Sequence, residues 1–356
     1  MTDARVASGG RSDSRRRSNG GAVTLHSVAA EASVSSATVS RVLTNTGVVA
    51  PETRARVLSA VASLGYQPNL LAQSLRLGRG QSVALLVGDI EQSFYSVMTS
   101  RVQAALEEIG LDLLLFNLSH SEDRLWHVLR RAKPLRLRGI LLAASHILPR
   151  AKLEPLIAEL DAAGIPVIGL GQRLGAIGGT SIVDDEARGA VLGARHLHER
   201  GRAPIAYVGR ISDSVLGRAR YRGYRQALAG LGLPHDPRLV WNTVEKYRFE
   251  AGYTEMGRAL ERGLPMRSVL AASAELAAGA MAAALDRGRK VPDEIAFVGF
   301  GGSEWAAHVR PALTTVTGDI EALGAHVRDI FRNLETEKLA PRLTVIMPRL
   351  EIRGSS

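Results

Sequence analysis

The chain has 356 residues, enough for two or three domains, and no cysteine, which excludes disulfides and thiolate metal sites. A hydrophobic fraction of 46% can supply a sizeable core. With no apolar run of about 18 residues and no apolar stretch after the basic start, neither a membrane-spanning helix nor a secretory signal is expected; a reducing cytoplasm is the expected compartment. The formal net charge of +10 is uneven: residues 1–80 hold ten arginines against four acids, a net +6, which leaves +4 for the rest. A basic N-terminal quarter suggests a polyanionic partner, although a solvated arginine-rich tail has the same composition.

Residues 1–21 are arginine, serine and glycine with little that could be buried, which reads as a disordered arm. Residues 22–68 contain three short helical patterns. The first starts at Thr24, a good N-cap, and lines up Leu25, Val28, Ala29 and Ala32. The second starts at Ser35 and turns Val39, Val42 and Leu43 inward. The third has Pro51 in its first turn, a face of Val57, Leu58, Val61 and Leu64, and Gly65 as its C-terminal cap. Two short helices joined by a tight turn form a helix-turn-helix, whose second helix enters the major groove with its N-terminal residues at base edges. Small side chains there (Ser35, Ser36, Ala37, Thr38, Ser40) permit close approach, and Arg41 can fork onto guanine O6 and N7. The pattern by itself also fits a generic surface bundle.

Residues 69–80 read as a short amphipathic stretch followed by a glycine-punctuated linker. Beyond it the period changes. Strand runs at 83–87, 113–116, 140–143 and 167–170 alternate with helices at 98–109, 123–132 and 153–163. A second set at 205–208, 269–272 and 295–298 alternates with helices near 187–199, 219–230, 251–262 and 275–287. Such alternation implies parallel sheets covered on both faces, here in two lobes, with any ligand in the cleft between them.

Four segments then acquire a common meaning: Val23-Thr-Leu-x-x-Val-Ala, Val34-Ser-x-x-Thr-Val-Ser-Arg-Val-Leu, Pro51-Glu-Thr-Arg-x-x-Val and Leu64-Gly-Tyr-x-Pro-Asn. They resemble the LacI/GalR family of bacterial transcriptional regulators. The likeness continues through Gly164-Ile-Pro-Val-Ile, His196-Leu with Gly201, Arg220-x-x-Gly, Val291-Pro-Asp-Glu-Ile, Val298-Gly-Phe and Leu313-Thr-Thr-Val, from about residue 22 to 350. It implies a small all-α helix-turn-helix domain joined to a two-lobed, periplasmic-binding-protein-like α/β core with parallel sheets, acting as a homodimer. The core would span 81–354, with an N-lobe of about 81–183 and 318–343 and a C-lobe of about 184–317 and 344–354.

The resemblance also implies roles. Ser36, Ala37 and Arg41 fall at base-reading positions; Thr24, Ser35, Thr38, Ser40 and Asn69 fall where backbone phosphates are contacted. Residues 69–77 match a hinge helix, with Leu75 as a minor-groove wedge, though Leu75 could instead pack on the N-lobe. Ser33 replaces a usual turn glycine and Ala50 a usual capping serine. Around the cleft the implied effector residues are Gln92, Phe94, Tyr95, Gly171, Arg220, Ser273, Gly301 and Ile320. The family often has acids where this chain has Ser273-Ala274, Gly301-Gly302 and Gly171. A retained Arg220 among lost carboxylates points to an anionic effector such as a sugar acid or phosphorylated sugar. The alternatives are that the glycines make room for a larger neutral ligand, that the pocket has decayed, or that Arg220 sits in an ion pair.

Enzyme patterns fit poorly. Gly169-x-Gly171 lacks the rest of a dinucleotide loop, and Gly301-Gly-Ser303-Glu-Trp305 lacks the last glycine of a nucleophile elbow. His196-x-His198 on a helix diverges, which favours a surface helix over a metal site; Asp184-Asp185-Glu186 reads as a loop and helix start. No cofactor is called for. A DNA-binding repressor controlled by a small molecule is the first reading; an activator or constitutive regulator with a vestigial pocket is the alternative. A solute-binding protein would share the lobes but not the first 80 residues.

Overall fold

The computed structural model describes residues 23–43, 47–66, 80–144, 148–242, 247–334 and 339–356. The expected arm (1–21) and nearly all of the expected hinge, Asn69 and Leu75 included, lie outside those residues. The chain divides into two units, Met1–Gly78 and Arg79–Ser356.

The first unit holds α1 (Leu25–Glu31), α2 (Ser36–Leu43) and α3 (Pro51–Leu64). Thr24 and Ser27 form a reciprocal capping box: each side-chain oxygen accepts from the other's backbone N–H, both at 3.3 Å. Val28, Ala29, Ala32, Val39, Val42, Val57 and Ala60 form the core of this unit. Leu58, expected inward, is half exposed. The buried stripe of α3 runs through Val57, Ala60, Val61 and Leu64, a helical spacing that leaves Leu58 about 100° around from Val57. Gly65 closes α3 at φ +60°.

Both local departures from the family pattern have a structural cost. Ser33 sits at φ +51°, a left-handed conformation disfavoured for any residue with a Cβ. Ala50 is the N-cap of α3 and has no side-chain cap. Ala50→Ser should add about 0.5–2 kcal/mol, and Ser33→Gly about 1 kcal/mol by relieving the left-handed strain. Amide hydrogen exchange in α2 and α3 of the full chain reads this directly: slower exchange in both variants is expected, and unchanged rates would refute it.

In the second unit, one sheet has the order β11-β5-β4-β3-β1-β2. Its strands are β1 (Ser82–Val87), β2 (Asp112–Asn117), β3 (Gly139–Ala143), β4 (Val167–Leu170), β5 (Thr180–Asp184) and β11 (Leu343–Ile346), all parallel. It is covered by α4 (Ser93–Glu107), α5 (Glu122–Arg131), α6 (Arg150–Ala162) and α12 (Ile320–Asn333). The other sheet has the order β12-β10-β9-β8-β6-β7. It comprises β6 (Ile205–Val208), β7 (Val240–Trp241), β8 (Ser268–Ala271), β9 (Ala296–Phe300), β10 (Thr314–Thr317) and β12 (Arg349–Glu351), of which only β12 runs antiparallel. Its helices are α7 (Glu186–Glu199), α8 (Val215–Gly230), α9 (Phe249–Glu261), α10 (Ala274–Asp286) and the short α11 (Trp305–His308). The chain crosses between lobes after β5, after β10 and after β11. The last crossing corrects the expected boundary at 343: residues 344–346 pair with 182–184 of β5, so the N-lobe sheet keeps them. The lone-standing sequence run gave no cue, because Leu343 and Val345 lie on an open sheet edge and are exposed.

Candidate functional site

On α2, Val39 and Val42 face the core while Ala37 and Arg41, one turn apart, are exposed side by side. Ser36 and Ser40 flank them, partly covered. Three of the expected phosphate contacts already have internal work: the Ser35 hydroxyl accepts from the Thr38 amide at 3.1 Å and pairs with the Thr38 hydroxyl at 2.9 Å, and Thr24 Oγ1 accepts from the Ser27 amide at 3.3 Å. Ser36 Oγ lies 3.1 Å from His26 Nδ1, a tie between α1 and α2 that no local pattern in the chain announces. The fully exposed side chains of this stretch of α2 are Ala37 and Arg41.

The cleft of the second unit is built where β5 ends. Asp184 is the last residue of that strand. Asp185 caps α7, its Oδ1 accepting from the Arg188 amide at 3.1 Å, and Glu186 is in the helix's first turn. Arg220 reaches across from α8. Its Nε donates to Glu186 Oε2 at 2.7 Å, its Nη2 to Glu186 Oε1 at 3.0 Å, and its Nη1 to the Ala272 carbonyl. The Phe300 ring lies under the guanidinium, 4.5 Å away. Only 14% and 10% of the Arg220 and Glu186 side chains remain exposed. Burial opposes the guanidinium's charge, but Glu186 outweighs it and leaves the Arg220 pKa above its ordinary value. Burial, reinforced by the charge of Glu186, raises Asp184 to about 7, with Arg220 pulling the other way.

These groups line an inner chamber of about 60 Å³ together with Gln92, Phe94, Tyr95, Leu216, Tyr247, Ser273, Glu275 and Gly301. Of the effector positions expected from sequence, Gln92, Phe94, Tyr95, Arg220, Ser273 and Gly301 therefore meet in one place. Two do not. Ile320 faces a small side crevice with Phe94, Val97 and Gly302, and Gly171 faces a second cavity. Ser273 acts as the N-cap of α10, its hydroxyl accepting from the Leu276 amide at 3.1 Å.

The expectation that this cleft has lost its acids is corrected. Asp184, Asp185, Glu186 and Glu275 line the chamber, against Arg220 as the sole cationic side chain among the described lining residues. The fork of Arg220 is already occupied by a carboxylate, which removes the basis for an anion there. The acids stand at positions other than those compared in sequence. At 301 and 302 glycine is required: Gly301 has φ +125°, and a Cβ on Gly302 would sit 2.4 Å from Thr317 Oγ1. His196, expected on a surface helix, is buried instead, with Nε2 2.8 Å from the Ser356 hydroxyl. Burial, helped by Arg200, lowers its pKa, while Glu199 pulls the other way. No metal-holding group of three such side chains exists among the described residues.

Polar contacts join the two lobes across the cleft. Glu275 Oε1 accepts from both the Ser93 amide (3.1 Å) and the Ser93 hydroxyl, and the Ser303 hydroxyl donates to Ser93 Oγ at 2.6 Å. Arg248 pairs with Asp89 at 3.3 Å and with Glu91.

A helix-turn-helix unit followed by two hinged α/β lobes around a polar cleft defines the class of ligand-responsive transcription regulators. Residues 24–69 match the bacterial regulatory proteins of the lacI family, and residues 194–356 match the periplasmic binding protein-like domain. The regulator DegA of Bacillus subtilis is 31% identical over 94% of this chain and 98% of its own length. The regulator CelR of Thermobifida fusca is 32% identical over 93% and 98%. The chain belongs to the lacI family of bacterial regulatory proteins and is a DNA-binding transcriptional regulator. Among solved structures, a CelR–cellobiose complex is 29% identical over 94% of this chain and all of its own, with a TM-score of 0.68. The lac repressor dimer bound to operator and the anti-inducer ONPF shares the fold, with a TM-score of 0.79 at 24% identity over 94% and 98% of the two chains. No helix among the described residues is long and apolar enough to cross a membrane.

Proposed function

We propose that the protein is a homodimeric repressor of a pseudo-palindromic operator, read through the Ala37–Arg41 stripe of α2. A neutral, polyhydroxylated ligand between the lobes sets its DNA affinity. The carrying observation is the acid-rich chamber around the Arg220–Glu186 pair. Asp184, whose burial raises its pKa to about 7, presents its carboxyl to ligand hydroxyls, while Phe94 and Tyr95 offer an apolar wall to a sugar ring. The fork of Arg220 is taken by Glu186 and no other cationic side chain lines the chamber among the described residues, so an anion finds no partner there, and a neutral ligand replaces the sugar acid expected from sequence. A chamber of about 60 Å³ holds a few waters and no sugar. Ligand entry therefore requires the Ser93–Glu275 and Arg248 contacts to open, and this couples occupancy to the relation of the lobes.

The test starts from DNA selected by the full-length protein out of a random pool. A two-fold symmetric footprint is expected, and affinity on that site is then measured against a panel of neutral mono- and disaccharides that includes cellobiose. At least one saccharide should shift the affinity about tenfold, within the usual range of allosteric coupling. Asp184→Ala, which removes both donor and acceptor, should abolish the shift while keeping DNA affinity without sugar. An asymmetric monomer footprint, or a response indifferent to Asp184→Ala, overturns the proposal.

A further inference from the structure

Beyond the inner chamber lies a second cavity of about 410 Å³ that the sugar-binding reading does not use. Leu216 and the Asp184–Glu186 corner are shared by both spaces, so Leu216 partitions them. Gly171, at φ +76°, forms part of the wall; it has no Cβ, and one built there would already touch Leu216 Cδ2 at 3.5 Å. A larger residue at 171 would close the gap.

This space shares Asp184, Asp185 and Glu186 with its neighbour but adds four arginines to them. Arg150 enters from the start of α6 and Arg173 from the loop after β4, both on the N-lobe. Arg218 and Arg222 enter from α8 on the C-lobe. All four are exposed. Arg218 donates to the Ser212 carbonyl; no carboxylate partner is found for any of the four among the described residues. The cavity's own acids are committed elsewhere. Both Glu186 oxygens are on Arg220, Asp185 caps α7, and Asp184 is shared with the inner chamber. Four guanidiniums drawn from both lobes line one space, so a multiply charged anion seated in it would meet cationic donors from each lobe. Planar forks also match the tetrahedral oxygens of phosphate in bidentate fashion.

We propose that this vestibule is an anion-binding site for a phosphate-class group, separate from the acidic chamber, and that an anion seated there draws the two lobes together. It rests on the reading of the cleft as the ligand-responsive part of the molecule, but not on the identity of the sugar. Sequence reading placed an anion on Arg220; the geometry moves it to Arg150, Arg173, Arg218 and Arg222.

The probe is inorganic pyrophosphate, titrated calorimetrically into the full-length protein at fixed ionic strength. Saturable binding is expected, together with a raised melting temperature. Arg173→Gln and Arg222→Gln should each weaken binding about tenfold, the equivalent of one lost charge-assisted contact, and the double variant should abolish it. Both side chains are exposed, so the unliganded melting temperature of the variants should match wild type. Arg41→Ala reports on the other place where an anion could bind, the DNA-reading face, and should change nothing. Absence of saturation up to about 10 mM pyrophosphate overturns the proposal. Binding lost in Arg41→Ala but kept in the Arg173/Arg222 double variant also overturns it. Neither result touches the saccharide test, whose readout depends on Asp184.

Discussion

Glu186→Gln is expected to destabilise the core by about 3–5 kcal/mol, the scale on which losing one partner of a buried ion pair operates. For a core of this size that lowers its melting temperature by roughly 10 °C. The reason is what remains. Arg220 keeps its charge, because a guanidinium does not give up its proton inside a protein, and its side chain is 14% exposed. Deleting the carboxylate leaves a cation that neither solvent nor a neutral amide compensates. The Ala272 carbonyl and the Phe300 face stay in contact, but a neutral acceptor and a ring quadrupole supply only a fraction of the lost attraction. Replacing both partners, as Arg220→Met with Glu186→Leu, removes the charges and their desolvation together and should recover most of the loss. Thermal unfolding of the two singles and the double closes the cycle. A double variant no more stable than the worse single would contradict a direct pair. All three variants should lose the saccharide response, because the chamber loses the groups that orient hydroxyls.

The same pair shows where sequence reading reaches and where it stops. Arg220 was legible as a cleft residue, since its position follows from its place in the Arg220-x-x-Gly segment. Its partner was not. Glu186 looks like one acid among three at a helix start, and Asp185 does serve as the cap that local logic assigns. Only the three-dimensional return of α8 against the end of β5 turns Glu186 into the counter-ion and Asp184 into the group shared by all three cleft cavities. The strands divide in a similar way. β1, β3 and β4 are buried apolar runs and announce themselves. β5 and β10 carry Thr-Ser and Thr-Thr, whose hydroxyls find partners outside their own strands, as Thr180 does in the Ala340 carbonyl at 3.1 Å and Thr315 in the Arg353 guanidinium at 2.9 Å. β11 and β12 are edge strands with exposed side chains. Neither kind leaves the hydrophobic periodicity on which a single sequence depends. In the helical unit the period is clean, and the one error, Leu58, is a side chain on the flank of a correctly placed helix.

Arg41→Ala is expected to weaken operator binding by about 1–3 kcal/mol per half-site, roughly five- to 150-fold, if Arg41 makes the forked contact to guanine O6 and N7. Its exposure and its place one turn beyond Ala37 motivate this: the small methyl lets α2 sit deep enough for the arginine to reach a base edge. Ser36→Ala should do much less, because the Ser36 hydroxyl is already engaged with His26. Loss of affinity alone does not separate a base contact from a phosphate contact, since an exposed arginine serves either. The salt dependence does. A phosphate contact contributes about 0.9 to the slope of log affinity against log salt, so losing one on each half-site of a dimer flattens that slope by nearly two. A base contact leaves the slope almost unchanged and instead relaxes preference at one base pair of each half-site. Binding curves for wild type and Arg41→Ala, across a series of sites substituted one base pair at a time and at several salt concentrations, distinguish the two. A flattened slope with base preference intact would move Arg41 from reading the sequence to holding the backbone.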